Sequence, residues 1–253
     1  IIMPNYVQMT DRRGNMVSKI RSFGLKGIGG YEVSVECYVS NGLPNFDIVG
    51  LPDTAVKESY ERIRAALLNT GYKFPRNQIT VNMAPADIRK EGSAYDLPIA
   101  IGILAAGDVV NTDKLSRYLI MGELGLDGNL MPIKGALPIA ICARAKGYEG
   151  FILPKQNARE AAVVNNLHVY GVENIKGVIE FFNNEHDLQP TIVNTREEFY
   201  QHQNAFPYDF ADVKGQENVK RALEVAAAGG HNLIKLCPIF QPPNICLFSV
   251  IYC

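Results

Sequence analysis

The chain has 253 residues, of which 47% are hydrophobic and 20% charged, and its formal net charge is −1. Such a composition fits a packed globule of one large or two modest domains and excludes a disordered chain. Near-neutral charge gives no general attraction to nucleic acid or to an anionic membrane. No apolar run reaches the roughly 18 residues that span a bilayer, and residues 1–15 lack the apolar core of a signal peptide, so a cytoplasmic protein is expected.

Residues 1–15 are polar and without periodicity, and an ordered pattern begins at Met16. Met16 is therefore read as the natural start, and residues 1–15 as a disordered or non-native leader. Residues 19–25 and 31–40 read as strands. In the second, Val33, Val35 and Cys37 alternate with Glu32, Ser34 and Glu36, the period of a half-buried strand. Asn41-Gly42 is a turn signal, and 45–49 is a third strand. Asp53 then caps a helix that runs to about Asn69, with Val56, Tyr60, Ile63 and Leu67 on one face. Residues 78–83 form a strand. Asp96 is placed to cap the helix 97–106, which is apolar all round and predicted to be the buried one. Asp127-Gly128 suits a tight turn between hairpin arms 119–126 and 129–133. Helices over 136–146, 158–164 and 175–183 alternate with strands over 151–153 and 169–172. Residues 185–208 are polar and read as a linker. Helical character resumes over 210–228, with Val219, Leu223 and Ala226 on one face. The interleaving predicts a two-layer α/β domain over residues 16–184.

Few residues carry chemistry by spacing alone. The histidines (His168, His186, His202, His231) and the five cysteines show no metal-ligand pattern and no CxxC pair, which argues against a zinc site or a disulfide framework. Cys37 and Cys142 read as buried structural thiols. The run "NMAPADIRKEGSAYDLPIAIG", residues 82–102, leaves a strand, makes a polar turn and enters the apolar helix. A turn at a helix N-terminus exposes free N–H groups. Ser93 with Lys90, or with Lys134 of "GNLMPIKGALPIA", could form a serine nucleophile and lysine base. The plainer reading makes Ser93 and Asp96 helix caps and Lys134 a surface lysine.

Three longer stretches are more specific: "SNGLPNFDIVGLPDTAVKESYERIRAALLNTGYKFP", "ITVNMAPADIRKEGSAYDLPIAIGILAA" and "GELGLDGNLMPIKGALP". They resemble the amino-terminal domain of the magnesium-chelatase-like AAA+ ATPases of the YifB or ComM family, over about residues 16–232. The resemblance implies a ribosomal protein S5 domain 2-like fold, shared with the proteolytic domain of Lon, over residues 16–184. "FADVKGQENVKRALEVAAAGGHNL" is similar to the entry into the ATPase module, placed here at residues 209–236. Val213, Gly215 and Gln216 would then lie on the adenine side of an ATP site. In full-length relatives the resemblance implies ATP and magnesium as cofactors. It also implies a homo-oligomeric, hexameric ring, DNA as partner and branch migration in natural transformation. No membrane partner is expected.

Two departures from the family pattern matter. After "GGHNL" the resemblance leads to expect a glycine-rich phosphate loop, which wraps phosphates with backbone N–H groups. Instead the sequence runs Lys235-Leu236-Cys237-Pro238-Ile239-Phe240-Gln241-Pro242-Pro243, with no glycine after Gly230. Prolines lack the N–H donors such a loop needs. A frameshift or truncation is the expected cause, with residues 237–253 an aberrant tail and no cofactor bound by this chain. In the Lon-like comparison the nucleophile's position falls on Ala94 and the lysine's on Leu137. Ser93 and Lys134 would act only from displaced positions, so a peptidase is the alternative and a fold relative without that activity the expectation.

Overall fold

A computed structural model describes residues 9–10, 16–27, 29–194, 212 and 214–229. Most of the expected leader, Val213 and the expected aberrant tail, residues 237–253, lie outside these. The chain divides into two compact units, Ile1–Asn194 and Thr195–Cys253.

The first unit is built on a sheet of eight strands. In chain order these are β1 (Met9–Thr10), β2 (Met16–Lys26), β3 (Gly29–Ser40), β4 (Asn45–Val49), β5 (Gln78–Ala84), β6 (Tyr118–Ile120), then β9 (Gly150–Pro154) and β10 (His168–Val172) after a small hairpin of β7 (Glu123–Leu124) and β8 (Leu130–Met131). The order across the sheet is β10-β9-β6-β2-β3-β5-β4, with β1 beside β2. In this order every neighbouring pair is parallel except the two made by β3. The sheet is therefore mostly parallel, as an α/β fold requires.

Strand β4 does not pair with β3 across the Asn41-Gly42 turn; it crosses to the sheet end and pairs in parallel with β5. Two expectations are corrected. The arm 119–126 is not continuous: Tyr118–Ile120 joins the main sheet, and only Glu123–Leu124 enters the hairpin. Gly122 is the break. Its N–H donates to Ala94 O (2.9 Å), its carbonyl accepts from Leu97 N (3.0 Å), and a side chain there would meet Leu97 and Leu130. The helix expected from Asp53 is two helices, α1 (Thr54–Lys57) and α2 (Ser59–Asn69). The Ala55 carbonyl, ordinarily the acceptor for the Ser59 amide, receives Arg62 Nη2 instead (2.7 Å).

Helix α3 (Asp96–Ala106) is buried at every residue. It packs on Val33, Val35 and Cys37 of β3, the alternating set, in the larger apolar cluster with α2 and α6 (Ile175–Phe182). Each fully buried Ile or Leu there contributes about 1.5–3 kcal/mol, which is why the segment cannot lie on the surface. Cys37 is buried and its thiol is pushed up to about 12, chiefly by burial. Cys142 is only half-buried. A smaller cluster lies on the opposite face, where α4 (Ala136–Ala145) and α5 (Lys155–Ala162) cover Phe151, Leu153 and Val169. The rest of that face is polar: Lys19 pairs with Glu36 (2.9 Å) and Arg21 with Glu32 (2.8 Å). Past α6, Leu188 packs on the larger cluster and Thr191 N donates to Val169 O (2.7 Å).

In the second unit, the described residues form α7 (Glu217–Gly229). None of its residues is buried, and Val219, Leu223 and Ala226 are among its partly covered positions.

Candidate functional site

The turn between β5 and α3 is fixed by side chains the sequence disguises. Asp53 does cap α1, accepting from Val56 N through Oδ1 (2.8 Å), and its Oδ2 accepts from Gly92 N (2.9 Å). A short bridge joins Pro52 to Lys90: Lys90 N donates to Leu51 O (3.0 Å) and Asp53 N to Lys90 O (2.9 Å). Gly92 holds φ 88, a left-handed conformation suited to glycine.

Lys90 is fully buried and, among the described residues, makes no ion pair. Its amine donates to the carbonyls of Pro85 and Ile88, the latter at 2.7 Å. Burial draws its pKa below the usual lysine range. It is thus turned into the turn's own backbone, away from Ser93.

Asp96 is not a helix cap. Tyr95 occupies the cap position and makes no side-chain cap bond. The Asp96 carboxylate is instead gripped by Arg62 through Nε (2.6 Å) and Nη2 (2.9 Å), and it accepts from Leu124 N (3.3 Å). Burial pushes its pKa up to about 6, against the lowering effect of Arg62 and the Leu124 amide. Ser93 caps nothing either: its hydroxyl donates to the Glu123 carboxylate at the start of β7. Tyr95, also buried, shares a hydrogen bond with Tyr31, whose hydroxyl donates to Arg89 O (3.1 Å).

Tyr31, Arg89, Ser93, Tyr95 and Glu123 line a cleft of about 820 Å³, within the range of ligand pockets; Asp53, Arg62, Lys90 and Asp96 do not line it. The facing wall carries Lys134. The loop before it is held by buried Asn157, which accepts from Ile133 N (2.8 Å) and donates to Ile133 O (2.9 Å). Gly135 follows in a left-handed conformation (φ 73) against Leu25. Charge along the cleft is balanced: Lys26, Arg89 and Lys134 against Asp87, Glu91 and Glu123.

The structure thus brings Ser93 and Lys134 to one cleft without joining them. Among the described residues Lys134 is exposed and has no ion pair, and the Ser93 hydroxyl is committed to Glu123. A serine–lysine pair needs the amine on the hydroxyl. Ala94 and Leu137, the positions that the Lon comparison singled out, both pack against the smaller apolar cluster. Arg62, Asn157 and the buried state of Lys90 are residues that sequence reading missed. The (i, i+34) separation of Arg62 from Asp96 leaves no local signal.

Gly215 (φ 70) and Gln216 (φ 59), two of the residues expected beside an adenine, form a left-handed turn before α7, and Gln216 O accepts from Val219 N (2.9 Å) and Lys220 N (3.0 Å). Among the described residues no group of three or more His, Cys, Asp or Glu side chains could hold a metal ion, and no helix is long and apolar enough to cross a membrane.

Comparison with known proteins places this geometry. The family described as subunit ChlI of Mg-chelatase matches residues 35–157, and that described as magnesium chelatase, subunit ChlI, matches residues 209–239. The chain is 42% identical over 206 residues to competence protein ComM of Haemophilus influenzae, covering 81% of this chain and 40% of that protein. It is 40% identical over 215 residues to the uncharacterized protein YifB of Escherichia coli K12, covering 84% of this chain and 41% of that one. A Lon protease of Aster yellows witches'-broom phytoplasma is 25% identical over 186 residues, covering 68% and 23%. The chain spans about two fifths of the length of ComM and YifB. With its mostly parallel sheet, the first unit has the α/β fold of the ribosomal protein S5 domain 2-like and Lon-like class. The chain belongs to the YifB/ComM family of magnesium-chelatase-like proteins.

Proposed function

We propose that this chain is the amino-terminal part of an ATP-driven motor of the ComM/YifB type, whose full-length form acts on DNA as a hexameric branch-migration helicase in the cytoplasm. The observation that carries this reading is the passage from one matched region, 35–157, to a second at 209–239, where an amino-terminal domain of residues 16–184 would give way to an AAA+ module. In that protein ATP and magnesium are the cofactors. In this chain Gly215 and Gln216, with Val213, would supply only the adenine side, because residues 235–243 hold no glycine and place prolines, which have no N–H, at 238, 242 and 243 where a phosphate loop needs donors. The first domain serves assembly or DNA contact and is not itself catalytic.

A thermal-shift titration with millimolar ATP and magnesium tests the cofactor assignment. This chain should show no shift, and a shift abolished by changing Gly215 would overturn that part. DNA contact is tested by affinity across a salt series, since phosphate contacts give a steep negative slope; a flat response would remove the first domain from the DNA surface.

The second reading, a degenerate serine–lysine peptidase, is favoured only by the shared cleft of Ser93 and Lys134. A fluorophosphonate probe should leave Ser93 unlabelled. Labelling lost in Lys134→Ala would establish the peptidase.

A further inference from the structure

The two edges of the main sheet are finished differently. Along β10, the chain after α6 returns, with Thr191 N on Val169 O. Strand β4 pairs with β5 on one side and, among the described residues, with nothing on the other. Its inner-face residues, Phe46 and Ile48, pack on the larger cluster, Phe46 against Tyr60 (ring centroids 5.0 Å apart), yet both stay half-buried. Asn45, Asp47 and Val49 are exposed on the other face. Beyond the two ends stand Leu43 (88% exposed) and Leu51 (54%). Leu51 is held at φ 57, uncommon for leucine, by the bridge to Lys90.

We propose that the outer edge of β4 receives an extended polypeptide segment in which apolar and basic residues alternate. The free strand edge asks for a main chain, because a row of unpaired N–H and C=O groups is a template for another strand. Period-two geometry sets the side chains. Residues beside Phe46 and Ile48 complete the apolar face, while those beside Asp47 meet a carboxylate. Asp47 accepts one hydrogen bond, from Asn45 Nδ2 (2.7 Å), and makes no ion pair among the described residues. A second copy of the chain is the poorer occupant: an antiparallel self-pairing of the whole strand sets Asp47 opposite Asp47, and like charges directly opposite are destabilising.

The test uses a fluorescein-labelled nonapeptide alternating valine with lysine, its valine–glutamate counterpart, and the lysine peptide N-methylated at alternate residues. Fluorescence anisotropy should give saturable binding of the first, about five- to tenfold weaker binding of the second, and loss of binding for the third. Asp47→Lys, an exposed change that leaves the core untouched, should reverse the preference between the charged peptides. Amide exchange should slow over residues 45–49 when the lysine peptide binds. Equal binding of the two charged peptides, a preference unmoved by Asp47→Lys, or no binding at millimolar peptide would each overturn the proposal. So would sedimentation showing a dimer whose formation protects the β4 amides.

Discussion

Lys90 and Asp96 are both fully buried, six positions apart, one at the middle of the turn after β5 and one where that turn enters α3. They are satisfied in opposite ways. Asp96 faces a guanidinium that binds it through two nitrogens, so charge meets charge. The Lys90 amine donates to two main-chain carbonyls, so charge meets dipole. The ion pair joins α2 to α3, with the Leu124 amide adding β7, while the lysine amine ties the turn only to itself. The long-range clamp should therefore be the brittle one and the local clamp the more forgiving.

Breaking the long-range clamp should have the largest effect. Arg62→Met leaves a buried carboxylate without its counter-charge and should cost about 3–5 kcal/mol in denaturant unfolding. A loss no greater than that of Lys90→Met would dissolve the contrast.

The pH response sharpens it. Asp96 binds its proton more tightly in the folded state, at about 6 against an ordinary value of 3.8. The stability it contributes is full below the ordinary value and is lost as pH rises through about 6, on the order of 3 kcal/mol. Glu32 and Glu36 act the other way. Burial raises both, but hydrogen bonds outweigh it, from Lys146 and Tyr148 on Glu32 and from Lys19 and Asn82 on Glu36; both are held below the usual range. The measurement is therefore the difference in slope between wild type and Asp96→Asn from pH 4 to 7, with the variant losing less stability as pH rises. Identical slopes would show that Asp96 does not titrate there.

Lys90→Met keeps the apolar stem and removes the donors from two carbonyls, at a cost of about 1–3 kcal/mol. Smaller still, Ser93→Ala should cost about 0.5–1.5 kcal/mol for one lost hydrogen bond. Lys134→Ala, at an exposed position without an ion pair among the described residues, should stay within about 0.5 kcal/mol in thermal unfolding. A large effect at Lys134 would mean that the cleft walls depend on each other.

What the sequence disclosed was local. The apolar run of α3, the alternation of β3 and the Asp53 cap each express a period or a neighbour contact, and each stands in the structure where its pattern put it. What it hid was long-range. Parallel pairing of β4 with β5 needs a crossover through α1 and α2, and no turn signal at Asn41-Gly42 encodes it. Asp96 carries the residue type and position of a cap, and only a partner 34 residues away turns it into an ion pair. At the candidate site, the meeting of Ser93 with Lys134 in one cleft was conceivable from two strand-turn-helix passages. The Glu123 carboxylate that takes the serine hydroxyl was not, since Gly122 redirects the chain just before it.

Asp53 uses its two oxygens for two unrelated amides, one opening α1 and one holding Gly92. Both partners are donors, so the position needs a group that accepts on both sides at once. Asparagine presents an NH₂ where one oxygen stood and sets donor against donor; serine has one oxygen for two claimants. Either exchange that would pass for conservative at an ordinary helix start therefore uncouples the helix from the cleft wall. What the two amides demand of this position is the symmetry of a carboxylate rather than its charge.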